Sequence, residues 1–220
     1  KGKQAAIDLA NELAKSAPVY AALLNPAHDL WNPYGPSAKK HIETLRNLGV
    51  EQLRPLLLSA ITRFTISELN RLLHTSVSWA VRFLVMGTSG SGALEAEYGR
   101  SASKVHKGDI KTTDQLATEM AGITPPDDAY EAAFRVARVA KANLARYYLM
   151  ALQRTADGEK EPQYVPNDAG EVNLEHILPQ SPSTDWSLDP DILRANYRRL
   201  GNLVLLQATP NSSIGNESYE

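Results

Sequence analysis

The chain has 220 residues, of which 43% are hydrophobic, and its formal net charge is −2. This length suffices for one large domain or for one domain with a small appendage, and the near-neutral charge gives no global indication of nucleic-acid binding. The sequence contains no cysteine, which excludes disulfides and thiolate metal sites and fits a reducing cytoplasmic location.

Two further kinds of segment are absent from the sequence. No apolar run approaches the roughly 20 residues of a membrane-spanning helix, so no membrane partner is predicted. The chain starts at Lys1 without a basic stretch and apolar core, which together would indicate a secretory signal. We therefore expect a piece of a larger soluble protein.

Helical periodicity dominates the chain up to about residue 154. Apolar residues recur at helical spacing, and proline or glycine separates most of these segments. The segment 25–36 holds three prolines and is predicted to be a loop. The predicted helices span residues 3–15, 17–25, 37–48, 51–64, 66–86, 93–106, 113–120 and 126–154.

The helix predicted at 66–86 carries the clearest local signals. Thr65 and Glu68 form a capping-box pattern at its start, and Gly87 is a typical C-terminal stop. Its apolar side chains indicate a central core helix. The glycine-rich stretch 87–92 lacks the Gly-Lys-Ser/Thr ending of a phosphate-binding loop, so nucleotide binding is not predicted there.

A dense run of turn-forming residues at 155–170 indicates a domain boundary. We predict a mainly α fold, in which a bundle of roughly seven to nine helices is followed by a small module. The helical domain is predicted to span 1–165 and the module 166–220.

The small module contains three polar residues in a distinctive order. His176 follows an alternating run that predicts a strand, Asn202 precedes a β-prone apolar run, and Asn211 stands at the expected start of a short helix. Taken singly, each is more simply explained as a surface, turn or cap residue. The order of strand with His, strand with Asn and helix with Asn is typical of a ββα-metal nuclease site.

The stretches EHILPQ (175–180) and LGNLVLL (200–206), with the asparagine downstream, carry a resemblance to a known family. They resemble the HNH (ββα-metal) nuclease domain at the C-terminus of GmrSD-type modification-dependent restriction endonucleases. The resemblance is specific over 171–220 and more degenerate in the helical region before it. It implies a small ββα-metal (HNH/His-Me finger) module.

Phosphodiester hydrolysis needs a group that deprotonates water and a means of stabilising charge on the phosphate. A neutral histidine suits the first task near neutral pH, so His176 is the predicted general base. The resemblance implies that Asn202 braces the loop that carries His176 or orients its ring. It also implies that Glu175 and Asn211 bind one hard divalent cation, Mg²⁺ or Mn²⁺, through side-chain oxygens.

Two features depart from the family pattern. Many HNH motifs continue with a basic residue shortly after the third signature position, but no Lys or Arg follows Asn211 here. Three arginines stand against seven acidic residues between 171 and 220, a balance that repels DNA unless a cation is bound.

Arginines mark two candidate DNA contacts. Arg198 and Arg199 precede the second predicted strand and are candidates for holding a phosphate. On the long helix predicted after Pro126, Arg135, Arg138 and Arg146 fall within roughly an 80° sector, a basic stripe able to follow a phosphate backbone. Solvated surface positions explain both groups equally simply, and an acidic partner could instead bury Arg146.

The leading prediction is a Mg²⁺-dependent DNA endonuclease or nickase domain of a bacterial anti-phage restriction protein. The resemblance implies a further partner, an N-terminal nucleotide-dependent domain of the full-length protein that senses modified DNA. The alternative is a non-catalytic DNA-binding or autoinhibitory module with a degenerate nuclease site, which the acidic balance favours. A helical protein-interaction domain is a third interpretation.

Overall fold

The computed structural model describes residues 2–162, 172–181 and 189–207. Within those ranges the chain forms nine α-helices and one two-stranded antiparallel sheet, which confirms a mainly α protein with a small sheet. The chain divides into two compact units, Lys1–Tyr130 and Glu131–Glu220, called here the N-terminal unit and the C-terminal unit.

The N-terminal unit is a helical bundle in which α3 packs against α5 and α2 against α4. Its core includes Leu56, Leu69 and Leu72, which are all 0% exposed. Its helices are α1 (Gly2–Leu24), α2 (Gly35–Leu48), α3 (Arg54–Arg63), α4 (Ile66–Val85), α5 (Gly92–Lys107) and α6 (Thr113–Met120), with 3-10 segments at Asp29–Tyr34 and Glu51–Leu53.

Helix α4 follows from its local sequence signals. The Oγ1 atom of Thr65 accepts a hydrogen bond from the N–H of Glu68 at 3.2 Å, which confirms the predicted cap. Gly87 lies just beyond the helix with a φ of +70°, a left-handed conformation that glycine adopts without strain. The predicted core helix and its stop are therefore confirmed.

The first two predicted helices form one continuous helix. Helix α1 runs from Gly2 to Leu24 with Pro18 inside it, so the predicted interruption between residues 15 and 17 is wrong. An interior proline removes one backbone hydrogen bond and crowds the preceding turn, so the helix needs other support to continue past Pro18. Burial of Ala22 and Leu23 fixes the C-terminal end of the helix in the core of the unit.

The long helix predicted for 126–154 is also wrong, because the structure has two helices there. Helix α7 spans Asp127–Arg135 and helix α8 spans Ala142–Ala156. Between them, residues 137–139 are extended and pair with residues 198–200 through backbone hydrogen bonds of 2.8 and 2.9 Å. In residues 137–139, backbone hydrogen bonds to residues 198–200 replace the hydrogen bonds that a continuous helix would make.

The C-terminal unit contains α8, the short helix α9 (Pro190–Asn196) and the strands β1 (Val172–His176) and β2 (Leu203–Gln207). The strands pair antiparallel, with His176 opposite Leu203, and α8 contacts both of them. Both predicted strands are therefore present, while the helix expected at Asn211 lies outside the described residues.

The domain boundary predicted at 165/166 also lies outside the described residues and stays a prediction. The C-terminal unit of the structure begins at Glu131. It includes α8 because α8 packs against both strands of the sheet. In the ranges that the structure covers, no helix combines the length and apolar character needed to cross a bilayer.

Candidate active site

His176 lies at the end of the two-stranded sheet. It is the last residue of β1 and pairs with Leu203, the first residue of β2. Its side chain is partly exposed, so the imidazole is available to solvent. A histidine at this position can meet a phosphate that approaches the end of the strand.

Asn202 ties the segment after His176 to the turn before β2. Its Oδ1 atom accepts a hydrogen bond from the N–H of Leu178 at 2.7 Å, and its Nδ2 atom donates to the Leu178 carbonyl at 3.0 Å. The same Nδ2 donates to the Tyr197 carbonyl at 3.2 Å, and the N–H of Ile177 donates to the Asn202 carbonyl at 2.9 Å. This is a bracing contact of the kind expected of Asn202, and its consequence for catalysis stays a prediction.

Buried apolar residues lie next to both partners of the hydrogen bonds between Asn202 and Leu178. Leu200 and Leu203 flank Asn202 and are 5% and 6% exposed, and Pro179 next to Leu178 is buried. Backbone groups in such surroundings need hydrogen-bond partners, because leaving them unpaired away from water costs free energy. The Asn202 amide supplies both partners for Leu178.

Glu175 is the candidate metal ligand that the structure describes. It precedes His176 in β1 and pairs with Val204, and successive strand residues point to opposite faces of a sheet. The Glu175 and His176 side chains therefore lie on opposite faces of the sheet. Both can reach one phosphate only if that phosphate lies at the end of β1. A carboxylate oxygen is a ligand that Mg²⁺ prefers, so Glu175 fits the expected ion.

The described residues contain no metal site made only of protein carboxylates and histidines. Across the described residues, no three or more His, Asp or Glu side chains are grouped so that they could hold an ion. The expected site uses two protein ligands and several waters, a set that suits Mg²⁺ and does not require such a group. Asn211, the second expected ligand, lies outside the described residues.

Arginines predicted from two separate stretches meet in the C-terminal unit. Arg138 and Arg199 form an isolated antiparallel bridge. The Nη2 atom of Arg138 donates to the carbonyl of Arg194 at 2.7 Å, and the Nη2 atom of Arg199 donates to the carbonyl of Arg135 at 3.3 Å. Both guanidinium groups thus contact backbone.

The predicted basic stripe on a single helix is wrong. Arg135 ends α7, Arg138 lies in the extended link, and Arg146 lies in α8, so no helical face carries all three. Arg146 is partly buried, and its Nε atom has no hydrogen-bond partner among the described residues. The acidic partner considered for Arg146 is not found in that part of the chain.

Two of the candidate DNA contacts present their charge to solvent. Arg198 is exposed, with its guanidinium carbon 5.1 Å from the centre of the Tyr197 ring. The Arg135 side chain is 80% exposed, and its Nη2 atom is 3.8 Å from the Glu131 carboxylate. Exposed ion pairs of this kind are weak, so the Arg135 charge remains available to an anion.

Comparison with protein families gives a match for the second part of the chain. Residues 124–220 match the family model for the C-terminal domain of GmrSD restriction endonucleases. This match confirms the resemblance to GmrSD-type proteins. No curated protein matches the chain.

The GmrSD C-terminal match extends further towards the N-terminus than the motifs indicated. It includes α7 and α8, whereas the specific part of the resemblance was limited to 171–220. Sequence reasoning also missed Leu178 as the residue that Asn202 holds, and Arg194 as an acceptor for Arg138. Leu178 and the buried Pro179 were a usable signal for a packed, hydrogen-bonded loop, whereas Ile177 is 46% exposed.

Proposed function

We propose that the C-terminal unit is a Mg²⁺-dependent DNA endonuclease or nickase in which His176 acts as the general base. The observation that carries this proposal is the pair of hydrogen bonds between the Asn202 side-chain amide and the backbone N–H and carbonyl of Leu178, two residues after His176. These bonds fix the segment that leaves the strand end. Catalytic groups need such support, because small displacements of a base from its proton reduce the rate strongly.

In the proposed reaction, a neutral nitrogen of His176 accepts a proton from water. The water oxygen forms a bond to phosphorus, the bond from phosphorus to the leaving oxygen breaks, and that oxygen takes a proton from solvent. Asn202 keeps the imidazole at the end of β1 by holding the following residues.

The proposed metal ligands are Glu175 and Asn211, whose side-chain oxygens suit Mg²⁺ or Mn²⁺. When bound, the ion offsets negative charge on the phosphate and on the leaving oxygen. Glu175 and His176 stand on opposite faces of β1, so the phosphate is proposed to lie across the end of the strand.

Exposed arginines supply the proposed DNA contacts. Arg198 and Arg135 are accessible and can neutralise phosphates without reading bases. Arg146 is a weaker candidate for a DNA contact, because its side chain is partly buried and its Nε atom is shielded from solvent. Choice of modified DNA is proposed to come from an N-terminal nucleotide-dependent domain of the full-length protein, in bacterial defence against phage.

The test uses the full chain, supercoiled plasmid and Mg²⁺ or Mn²⁺. Wild type is expected to nick the plasmid, and His176→Ala to lower the rate about 100-fold or more, because a general base typically contributes at least that factor. The control is His106→Ala, which removes an exposed histidine of α5. Equal nicking by His176→Ala and wild type would show that His176 is not the base, and nicking that persists in EDTA would contradict the metal requirement.

The acidic balance of 171–220, with three arginines against seven acidic residues, favours one second function. This is a non-catalytic DNA-binding or autoinhibitory module with a degenerate site. It predicts DNA binding that survives EDTA, depends steeply on salt and is not followed by cleavage.

A further inference from the structure

Two arginines of the C-terminal unit contact the C-terminal ends of two helices. Arg138 contacts the end of α9, and Arg199 contacts the end of α7. Arg138 follows α7 and donates to the carbonyl of Arg194 in the last turn of α9, at 2.7 Å. Arg199 follows α9 and donates to the carbonyl of Arg135, the last residue of α7, at 3.3 Å. The last carbonyls of a helix have no intrahelical partner, and a cation near them is favourable. The two contacts are therefore reciprocal C-terminal caps.

The backbone around these arginines forms a short antiparallel ladder. Hydrogen bonds of 2.9 and 2.8 Å join residues 137–139 to 198–200 and flank the pair Arg138 and Arg199. A pair flanked in this way is the closely spaced, non-hydrogen-bonded type, and like charges directly opposite each other destabilise a sheet. The guanidinium groups of Arg138 and Arg199 contact the ends of different helices, α9 and α7, which reduces the repulsion between their charges.

The ladder continues into the candidate active site. The N–H of Asn202 donates to the carbonyl of Arg199 at 2.9 Å, and the Asn202 side chain holds Leu178. An unbroken series of hydrogen bonds therefore leads from Arg138 through 198–202 to the segment after His176. Displacement of 198–202 would displace that segment.

We propose that Arg138 and Arg199 are positioning residues that fix 198–202, and through Asn202 the strand end that carries His176. This inference rests on the nuclease function proposed above. It gives these two arginines a role different from the DNA contacts expected from sequence, because each guanidinium is directed to a backbone carbonyl. Arg198 makes no such contact among the described residues and stays the candidate for binding phosphate.

The first test compares Arg138→Met and Arg199→Met with Arg198→Met, which removes the neighbouring exposed arginine. The rate at saturating DNA is expected to fall about 10-fold in the first two variants, as for other residues that orient a catalytic group. Their DNA affinity should keep its salt dependence, whereas Arg198→Met should lower the salt slope by about one. A lower salt slope with an unchanged saturating rate in Arg138→Met would instead show a phosphate contact and overturn the proposal.

The second test asks whether the arginines act through Asn202. If they do, Arg138→Met adds little to the loss of rate already caused by Asn202→Ala. A further 10-fold fall in the double variant, roughly equal to the effect of Arg138→Met alone, would show independent action and contradict the proposal.

The third test does not require nuclease activity. Hydrogen exchange of the Leu178 amide in the full chain is expected to accelerate in Arg138→Met and to stay unchanged in Arg63→Met, which removes an exposed arginine of α3. Protected amides of α4 serve as the internal check of folding, and Arg138→Lys, which retains a donor, should restore slow exchange. Unchanged Leu178 exchange in Arg138→Met would refute the positioning role, whereas an inactive wild type would refute only the nuclease.

Discussion

The N-terminal unit buries more large apolar side chains than the described part of the C-terminal unit does. The largest fully buried side chains that the structure describes, including Trp31, Leu56 and Leu72, lie in the N-terminal unit. The described part of the C-terminal unit buries a smaller apolar set, consisting of Ala145, Tyr147, Tyr148, Leu200 and Leu203. Apolar burial therefore contributes more to the first unit than to the described part of the second.

In the C-terminal unit, directional polar contacts between distant segments hold the candidate site in place. Asn202 and Leu178 are 24 residues apart, and Arg138 and Arg194 are 56 residues apart. Removing one directional contact changes local geometry without removing the core. A candidate site supported in this way can lose its alignment while its helices remain folded.

The largest expected effect comes from breaking the apolar core of the N-terminal unit. Leu72 in α4 is 0% exposed, so Leu72→Ala should lower the free energy of unfolding by about 3 kcal/mol through lost burial and a residual cavity. Urea unfolding measures the loss, and hydrogen exchange locates it. We expect lost protection within residues 2–130 and an unchanged nicking rate per folded molecule.

The matched control is Leu152→Ala in α8, because that leucine is 48% exposed. Surface changes of this kind usually alter the unfolding free energy by less than about 0.5 kcal/mol. A Leu72→Ala variant as stable as Leu152→Ala would contradict the role of Leu72 in the core of the N-terminal unit.

The next largest effect comes from breaking the hydrogen bonds between Asn202 and Leu178 in the C-terminal unit. Asn202→Ala removes three side-chain hydrogen bonds and leaves the N–H and carbonyl of Leu178 without that partner. We expect a loss of about 2 kcal/mol in unfolding free energy, since unsatisfied backbone groups cost about 1–3 kcal/mol. The nicking rate should fall more than this loss of folded protein explains, as measured well below the melting temperature.

Asn196→Ala is the control for the loss of an asparagine amide from the same unit. The Asn196 Nδ2 atom donates to the carbonyl of Ile192 within α9, at 2.8 Å, and joins no distant segments. Its loss is expected to leave the rate unchanged. If both variants lower the rate equally, the bridge to Leu178 has no special role.

The distance along the chain between contacting residues explains what sequence could predict. The cap of α4 depends on Thr65 and Glu68, three residues apart, and β1 depends on its own alternating pattern, so local reasoning found both. The interruption after Arg135 depends on pairing with residues 198–200, which no local pattern reveals. For the candidate site, sequence marked His176 and the motifs but could not show which backbone groups the site residues hold.

The smallest expected effect is a pH dependence within the N-terminal unit. The backbone N–H of Thr113 donates to the Glu68 carboxylate at 2.7 Å, and this bond, with help from Arg71, lowers the pKa of Glu68 from its usual value. Because the folded pKa lies below the unfolded value, the stabilisation is present above the unfolded pKa and is lost as the pH falls through the folded pKa. Glu68→Gln keeps an oxygen for the Thr113 N–H but removes the charge. Urea unfolding from neutral pH to below about pH 4 should show wild type losing its advantage over this variant. A difference that does not change with pH would mean that the Glu68 charge does not stabilise the contact between α4 and α6.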